Sequence, residues 1–209
     1  MMCGNRSVSR SLLFSLVMIG WLSLMVAPAF VHAAERDGES FTVSDLMHTL
    51  AQVKSAKGTF VERKYLSMMY APLEYSGTLA YTAPGHLEKY TLRPNPESMI
   101  LEQDTLTVQG GNAGTKRVLA LQEYPVAWAF VESFRSTLAG DIETLNRFYK
   151  VKLEGQPKRW LLVLKPTEPK MKYLVDEIRI GGSGDHIATI EIRESEGDYS
   201  VMTIRKDNL

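Results

Sequence analysis

An antiparallel α+β domain, with one large sheet that curls as it twists beside a few short helices, is the fold class that the sequence predicts. Three observations carry it. Apolar residues recur with a period of two in segment after segment, and turn residues rather than long connections separate most of these segments. A period near four is confined to residues 42–53 and 125–148.

The first 34 residues stand apart from this pattern and read as a cleavable signal peptide. Arg6 and Arg10 precede an uncharged apolar run at 11–26, and Val31, His32 and Ala33 suit a signal peptidase, with cleavage expected after Ala33 or Ala34. The run of about sixteen residues is short of the roughly 20 that cross a bilayer. Cys3 lies upstream of it, so no lipid-modified cysteine follows and the mature chain, 35–209, contains none. Disulfides, thiolate nucleophiles and cysteine metal sites are thereby excluded. Removing Arg6 and Arg10 from the 24 basic side chains leaves 22 against 24 acidic ones, a net charge of −2, which offers nothing to nucleic acid. A mature chain of about 175 residues suits a single domain with a core of its own. Such a protein is expected in the periplasm, in soluble form.

Along the mature chain, Thr42 can cap a helix with Asp45 reaching back, and Leu46, Leu50 and Val53 form one stripe. From Gly58 the period changes to two: Phe60, Glu62, Lys64, Leu66 and Met68 point one way, a strand with mixed faces. Leu73, Tyr75, Gly77, Leu79 and Tyr81 share a face of the next strand. Ala83, Pro84 and Gly85 turn the chain, residues 87–92 return, and Pro94 and Pro96 break the ladder. Shorter strands follow at 98–102, 105–109 and 118–121. Pro125 suits a first helical position; Val126, Phe130, Phe134 and Leu138 recur every four residues, widened by Trp128 and Val131, and Gly140 stops the helix. Asp141 caps a second helix to Phe148. Strands close the chain at 150–154, 160–164, 174–180, 187–193 and 199–204, the last three joined by short turn-rich links that imply antiparallel neighbours. The expected total is roughly ten strands and three helices.

Catalytic signals are missing. Gly181 to Asp185 lacks the spacing of a nucleophile elbow and reads as a hairpin turn. His48, His86 and His186 have no metal-ligand spacing, and Glu191, Glu194 and Glu196 surround a turn. No enzyme, cofactor or metal is expected. Large flexible and aromatic side chains are abundant instead, in the hairpin, at Met68, Met69 and Tyr70, and on the Trp128/Phe130/Phe134 helix. Most such stripes are ordinary core. A curled sheet with few short helices to fill its concave side nevertheless leaves room for an apolar cargo, to which methionines adapt.

Phe60-Val61-Glu62-Arg63, Ser76-Gly77-Thr78-Leu79, Pro84-Gly85-His86-Leu87, Pro94-x-Pro96-Glu97 and Asp104-x-Leu106 resemble the motifs of the LolA-like family of periplasmic lipoprotein carriers. The likeness runs on through 160–166 and the hairpins of 178–204. It implies a half-open antiparallel barrel closed by short helices around a cavity for the acyl chains of a lipoprotein or another lipid. The implied partners are an inner-membrane exporter as donor and an outer-membrane acceptor, with the carrier a monomer. The expected cavity residues are Phe60, Leu79, Tyr81, Leu87, Met99, Leu101 and Leu106 on the sheet, with Trp128, Phe130 and Phe134 on a helix that forms part of the lid. Two positions depart from the family pattern: Ala83 stands where carriers have an arginine that helps keep the lid shut, and Lys89 where an aromatic residue is expected. A lipid or envelope-stress sensor of the same fold is the alternative reading.

Overall fold

The structure is a computed structural model that describes residues 40–110 and 114–207. The signal peptide expected at 1–34 lies outside the described residues. Among the described residues no helix is long and apolar enough to cross a membrane.

The elements follow in the order α1 (Val43–Ala51), β1 (Ser55–Tyr65), β2 (Leu73–Thr82), β3 (His86–Arg93), β4 (Glu97–Glu102), β5 (Thr105–Gly110) and β6 (Thr115–Ala120). A 3₁₀ turn (Leu121–Glu123) leads to α2 (Pro125–Ala139) and α3 (Ile142–Phe148). Then come β7 (Tyr149–Gln156), β8 (Arg159–Pro166), α4 (Pro169–Lys172), β9 (Val175–Ser183), β10 (His186–Glu194) and β11 (Tyr199–Lys206). All eleven strands form one sheet in the order β6-β5-β4-β3-β2-β1-β11-β10-β9-β8-β7, every neighbour antiparallel. The first strand pairs with the last, Phe60 opposite Ile204, so among the described residues these two strands meet in the middle of the sheet. The outer edges, β6 and β7, do not pair with each other. The chain passes from one to the other through the 3₁₀ turn, α2 and α3.

Because successive side chains alternate faces, the register assembles apolar rows on one side of the sheet. Ala56, Tyr81, Leu87, Leu101, Leu106 and Leu119 lie side by side across β1 to β6. Met202, Ile190, Ile180, Leu162 and Leu153 do the same across β11 to β7. The two halves are covered differently. Over β7 to β9 the helices complete a solid core: Leu46, Leu50, Leu145, Tyr149 and Met171 pack on Trp160, Leu162, Leu164, Ile178 and Ile180, all nearly without exposure. The half built from β1 to β5 has no such filling.

Local signals explain the helix ends. Thr42 and Asp45 form the capping box, each backbone N–H donating to the other's side chain at 2.8 and 3.3 Å. Asp141 accepts from the Thr144 backbone N–H at 3.0 Å. Gly140 ends α2 at φ 71°, and a Cβ there would stand 2.2 Å from the Met47 carbonyl oxygen, so the residue is fixed by both conformation and contact.

Three expectations need correction. Strand β1 begins at Ser55 and ends at Tyr65, so Leu66 and Met68 fall in the loop after it. Met68 and Tyr70 are 87% and 111% exposed, and the run counted toward an apolar interior adds nothing to it. The sheet has an eleventh strand, and the single-turn helix α4 was not anticipated.

Candidate functional site

Helix α2 is built inside out relative to an ordinary surface helix. Ala129, Glu132, Ser133, Ser136 and Thr137, spaced three and four apart, are buried. This small, polar stripe packs where the backbone passes close: the Tyr149 hydroxyl donates to the Ala129 carbonyl at 3.2 Å, and Gly140 rests on Met47. Its hydroxyls are satisfied within the helix, so their burial is inexpensive. Ser133 donates to the Phe130 carbonyl and Thr137 to the Ser133 carbonyl, both at 2.6 Å, and Ser136 donates to the Glu132 carboxylate at 3.1 Å.

The opposite stripe, Ala127, Phe130, Val131, Phe134 and Leu138, faces a cavity of about 730 Å³. Such a volume lies within the range of roughly 300–1,000 Å³ of small-molecule sites. The sheet supplies the other wall. Leu79 and Tyr81 of β2, Leu87 of β3, Met99 and Leu101 of β4 and Leu106 of β5 line one side. Ile190 and Ile192 of β10 and Met202 and Ile204 of β11 line the other, with Leu50 and Val53 completing the wall beside α1.

Eight of the ten residues expected at the cavity are therefore on its wall: Leu79, Tyr81, Leu87, Met99, Leu101, Leu106, Phe130 and Phe134. Two are not. Phe60 shares the concave face but is covered, its ring lying under the Lys89 ammonium 5.0 Å from the ring centre. Trp128 turns away and meets Phe148 edge-on at 5.1 Å. The β10 and β11 wall was not among the expected residues. Its signal was present, since Ile190, Ile192, Met202 and Ile204 alternate with polar neighbours, yet the same alternation describes any strand lying over a core.

The two departures from the family pattern acquire definite surroundings. Ala83 carries only a methyl group, while the stem of Arg135 on α2 packs against the same β2–β3 turn at Gly85. Arg135 of α2 donates to the Gln103 carbonyl in the β4–β5 turn at 2.9 Å, stands 3.6 Å from Asp104, and pairs with the buried Glu132. Gly85, in the β2–β3 turn, leaves space for its stem, since a Cβ there would lie 2.6 Å from Arg135 Cδ. Lys89 projects into the cavity and donates to Glu62 at 2.7 Å.

Burial perturbs two tyrosines on the sheet. Tyr149 is pushed up to about 12 by loss of hydration, and burial likewise raises Tyr81. Among the described residues the Tyr81 hydroxyl, in a side chain 4% exposed, has no hydrogen-bond partner. Among them, too, no three His, Cys, Asp or Glu side chains gather as a metal site would require.

The sequence matches the family described as outer membrane lipoprotein carrier protein LolA-like over residues 35–205. The chain belongs to that family. Its open eleven-stranded antiparallel sheet with a few short helices is the LolA-like fold. No curated protein matches the sequence. Solved structures similar to this LolA-like chain include a LolA superfamily protein from Nitrosomonas europaea, 10% identical, covering 81% of this chain and 96% of that one, with a TM-score of 0.39. A second is an outer membrane lipoprotein-sorting protein domain from Vibrio parahaemolyticus, 8% identical over 79% of this chain and 91% of that one, TM-score 0.43. A third is MucB in the Pseudomonas aeruginosa MucA/MucB complex, 13% identical over 78% of this chain, TM-score 0.45. The LolA-like chain spans 55% of the length of that MucB chain.

Proposed function

We propose that this LolA-like protein is exported to the periplasm after cleavage behind Ala33 or Ala34, and that it carries the acyl chains of a lipoprotein or another lipid from the inner to the outer membrane. One observation supports this reading above the rest. Helix α2 buries Ser133 and Ser136, while Phe130 and Phe134, only partly buried against the core, face an empty volume. A helix selected only to fill a core would be turned by half a rotation, because aromatic burial stabilises far more than hydroxyl burial. The orientation is accounted for by an apolar guest that supplies the missing contacts.

The magnitudes suit transport. Each buried methylene contributes about 0.8 kcal/mol, so a sixteen-carbon chain gains at most roughly 12 kcal/mol when fully dehydrated. Displacing α2 and the half-buried residues around the cavity offsets part of this, and a carrier needs that offset to release its cargo. On this reading Leu79, Tyr81, Leu87, Met99, Leu101, Leu106, Phe130 and Phe134 contact the chain, while Phe60 and Trp128 support the wall from behind. An inner-membrane exporter donates the cargo and an outer-membrane acceptor receives it.

Native mass spectrometry of protein released from its own periplasm tests the proposal. The expected result is a mature mass beginning after Ala33 or Ala34 together with a bound acylated molecule. A protein that remains unloaded when offered acyl compounds over a wide concentration range overturns it.

A further inference from the structure

An ion pair stands among the apolar side chains on the wall of this cavity. Lys89 of β3 reaches diagonally over β2 to Glu62 of β1, with Nζ 2.7 Å from Oε2 and the side chains 27% and 16% exposed. Gly77 makes the bridge possible. It is the β2 residue between them on this face, and a Cβ there would lie 3.0 Å from the Phe60 ring and 1.8 Å from the Tyr90 carbonyl oxygen. Lys64 and Glu194 repeat the arrangement at 3.4 Å on the same wall, nearer the rim. Stability does not explain the inner pair, because apolar residues in place of a poorly hydrated ion pair leave a fold as stable or more so. Each partner also keeps spare capacity. The ammonium has three donors and the carboxylate about four acceptor sites, and the pair itself uses one of each.

We propose that the Glu62–Lys89 pair is the head-group subsite of the cavity, selecting acyl chains attached to a net-neutral group that offers both a hydrogen-bond acceptor and a donor. This inference rests on the carrier reading above. An anionic head would capture Lys89 only by stripping Glu62 of its partner, and a cationic head would do the reverse. A neutral dipolar head takes an N–H from Lys89, gives one to Glu62 and leaves the pair intact. The charges lining the whole cavity agree, with four lysines against three glutamates and one aspartate. Two sources share this chemistry: the amide of an N-acylated peptide, and the head of a zwitterionic phospholipid, which would also span the outer Lys64–Glu194 pair.

The test is displacement of a fluorescent acyl probe from the full mature chain by palmitoyl compounds of equal length: N-palmitoyl glycinamide, palmitoyl lysophosphatidylethanolamine, palmitate, palmitoyl lysophosphatidylglycerol and methyl palmitate. The glycinamide or the ethanolamine lipid should bind at least about tenfold tighter than either anion, and whichever leads identifies the source. Glu62→Gln should shift the order toward the anions. Removing both charges together, Glu62→Met with Lys89→Met, should abolish the discrimination without weakening methyl palmitate, and the exchanged pair, Glu62→Lys with Lys89→Glu, should restore it. Equal affinities for all heads in the wild type, with methyl palmitate still bound, overturn this inference and leave the carrier reading standing. Failure of every palmitoyl compound, methyl palmitate included, overturns both.

Discussion

Arg135→Met isolates the fastening of α2 to the sheet. The substitution removes a charge-assisted bond to the Gln103 carbonyl, worth about 1.5–3 kcal/mol. It also removes the contact with Asp104, a side chain 43% exposed and therefore worth at most about 1 kcal/mol. The larger effect falls on Glu132, whose side chain is 8% exposed and whose cationic partner disappears. A buried charge stripped of its partner costs about 3–5 kcal/mol. Urea unfolding followed by tryptophan fluorescence should show Arg135→Met destabilised by at least about 4 kcal/mol at unchanged m-value. Adding Glu132→Gln should restore at least about 2 kcal/mol, because the stranded charge is gone while the lost turn contacts remain. Amide exchange should accelerate in α2 and stay slow in β8 and β9, whose core does not touch Arg135. A double variant within about 0.5 kcal/mol of the single one would refute the reasoning, since Glu132 would then not depend on the arginine.

Leu87→Glu places a carboxylate in the middle of the apolar row opposite Tyr81 and Leu101; the half-buried site should let the domain fold, by circular dichroism, while acyl-probe loading is lost, and unchanged loading would count against the cavity assignment. Tyr81→Phe deletes a buried hydroxyl without a partner among the described residues, so stability by thermal unfolding should be unchanged or higher by up to about 1 kcal/mol, whereas a loss above about 1 kcal/mol would reveal a partner. Tyr149 gives a pH signature. Burial pushes its folded pKa up to about 12 from the ordinary 10.0, so its contribution is complete below pH 10 and lost as the pH rises toward 12, by roughly 3 kcal/mol at most. Tyr149→Phe should flatten that stretch of the stability profile, at the expense of the bond to the Ala129 carbonyl.

Much of the fold was legible because its signals are local. Strands with period two, turns at Ala83 to Gly85 and Gly181 to Asp185, the capping box at Thr42 and the stop at Gly140 each depend on a few neighbouring residues. What escaped depends on distant parts of the chain. Period alone could not show that Leu66 and Met68 leave the sheet, since the strand ends where β11, which pairs with it, begins at Tyr199. Phe60 and Lys89 each fit a cavity-facing pattern, yet only the register across β2 puts the ammonium over the ring. Trp128 widens the apolar stripe of α2 on paper, but its angular position takes it to Phe148. Helix α4, at four residues, is too short for any period to register. The role of Arg135 was hidden because its acceptor is a backbone carbonyl, which carries no side-chain signature.

The inverted orientation of α2 also governs where the container can be unsealed. Prying that helix loose in water would wet Phe130, Phe134, Val131 and Leu138 together and is thermodynamically uphill. Against a bilayer or a greasy docking partner the same exposure carries almost no penalty, because the rings exchange one apolar neighbour for another. If the protein is the carrier proposed above, α2 would then be displaced far more readily at a membrane or at an apolar docking partner than in water.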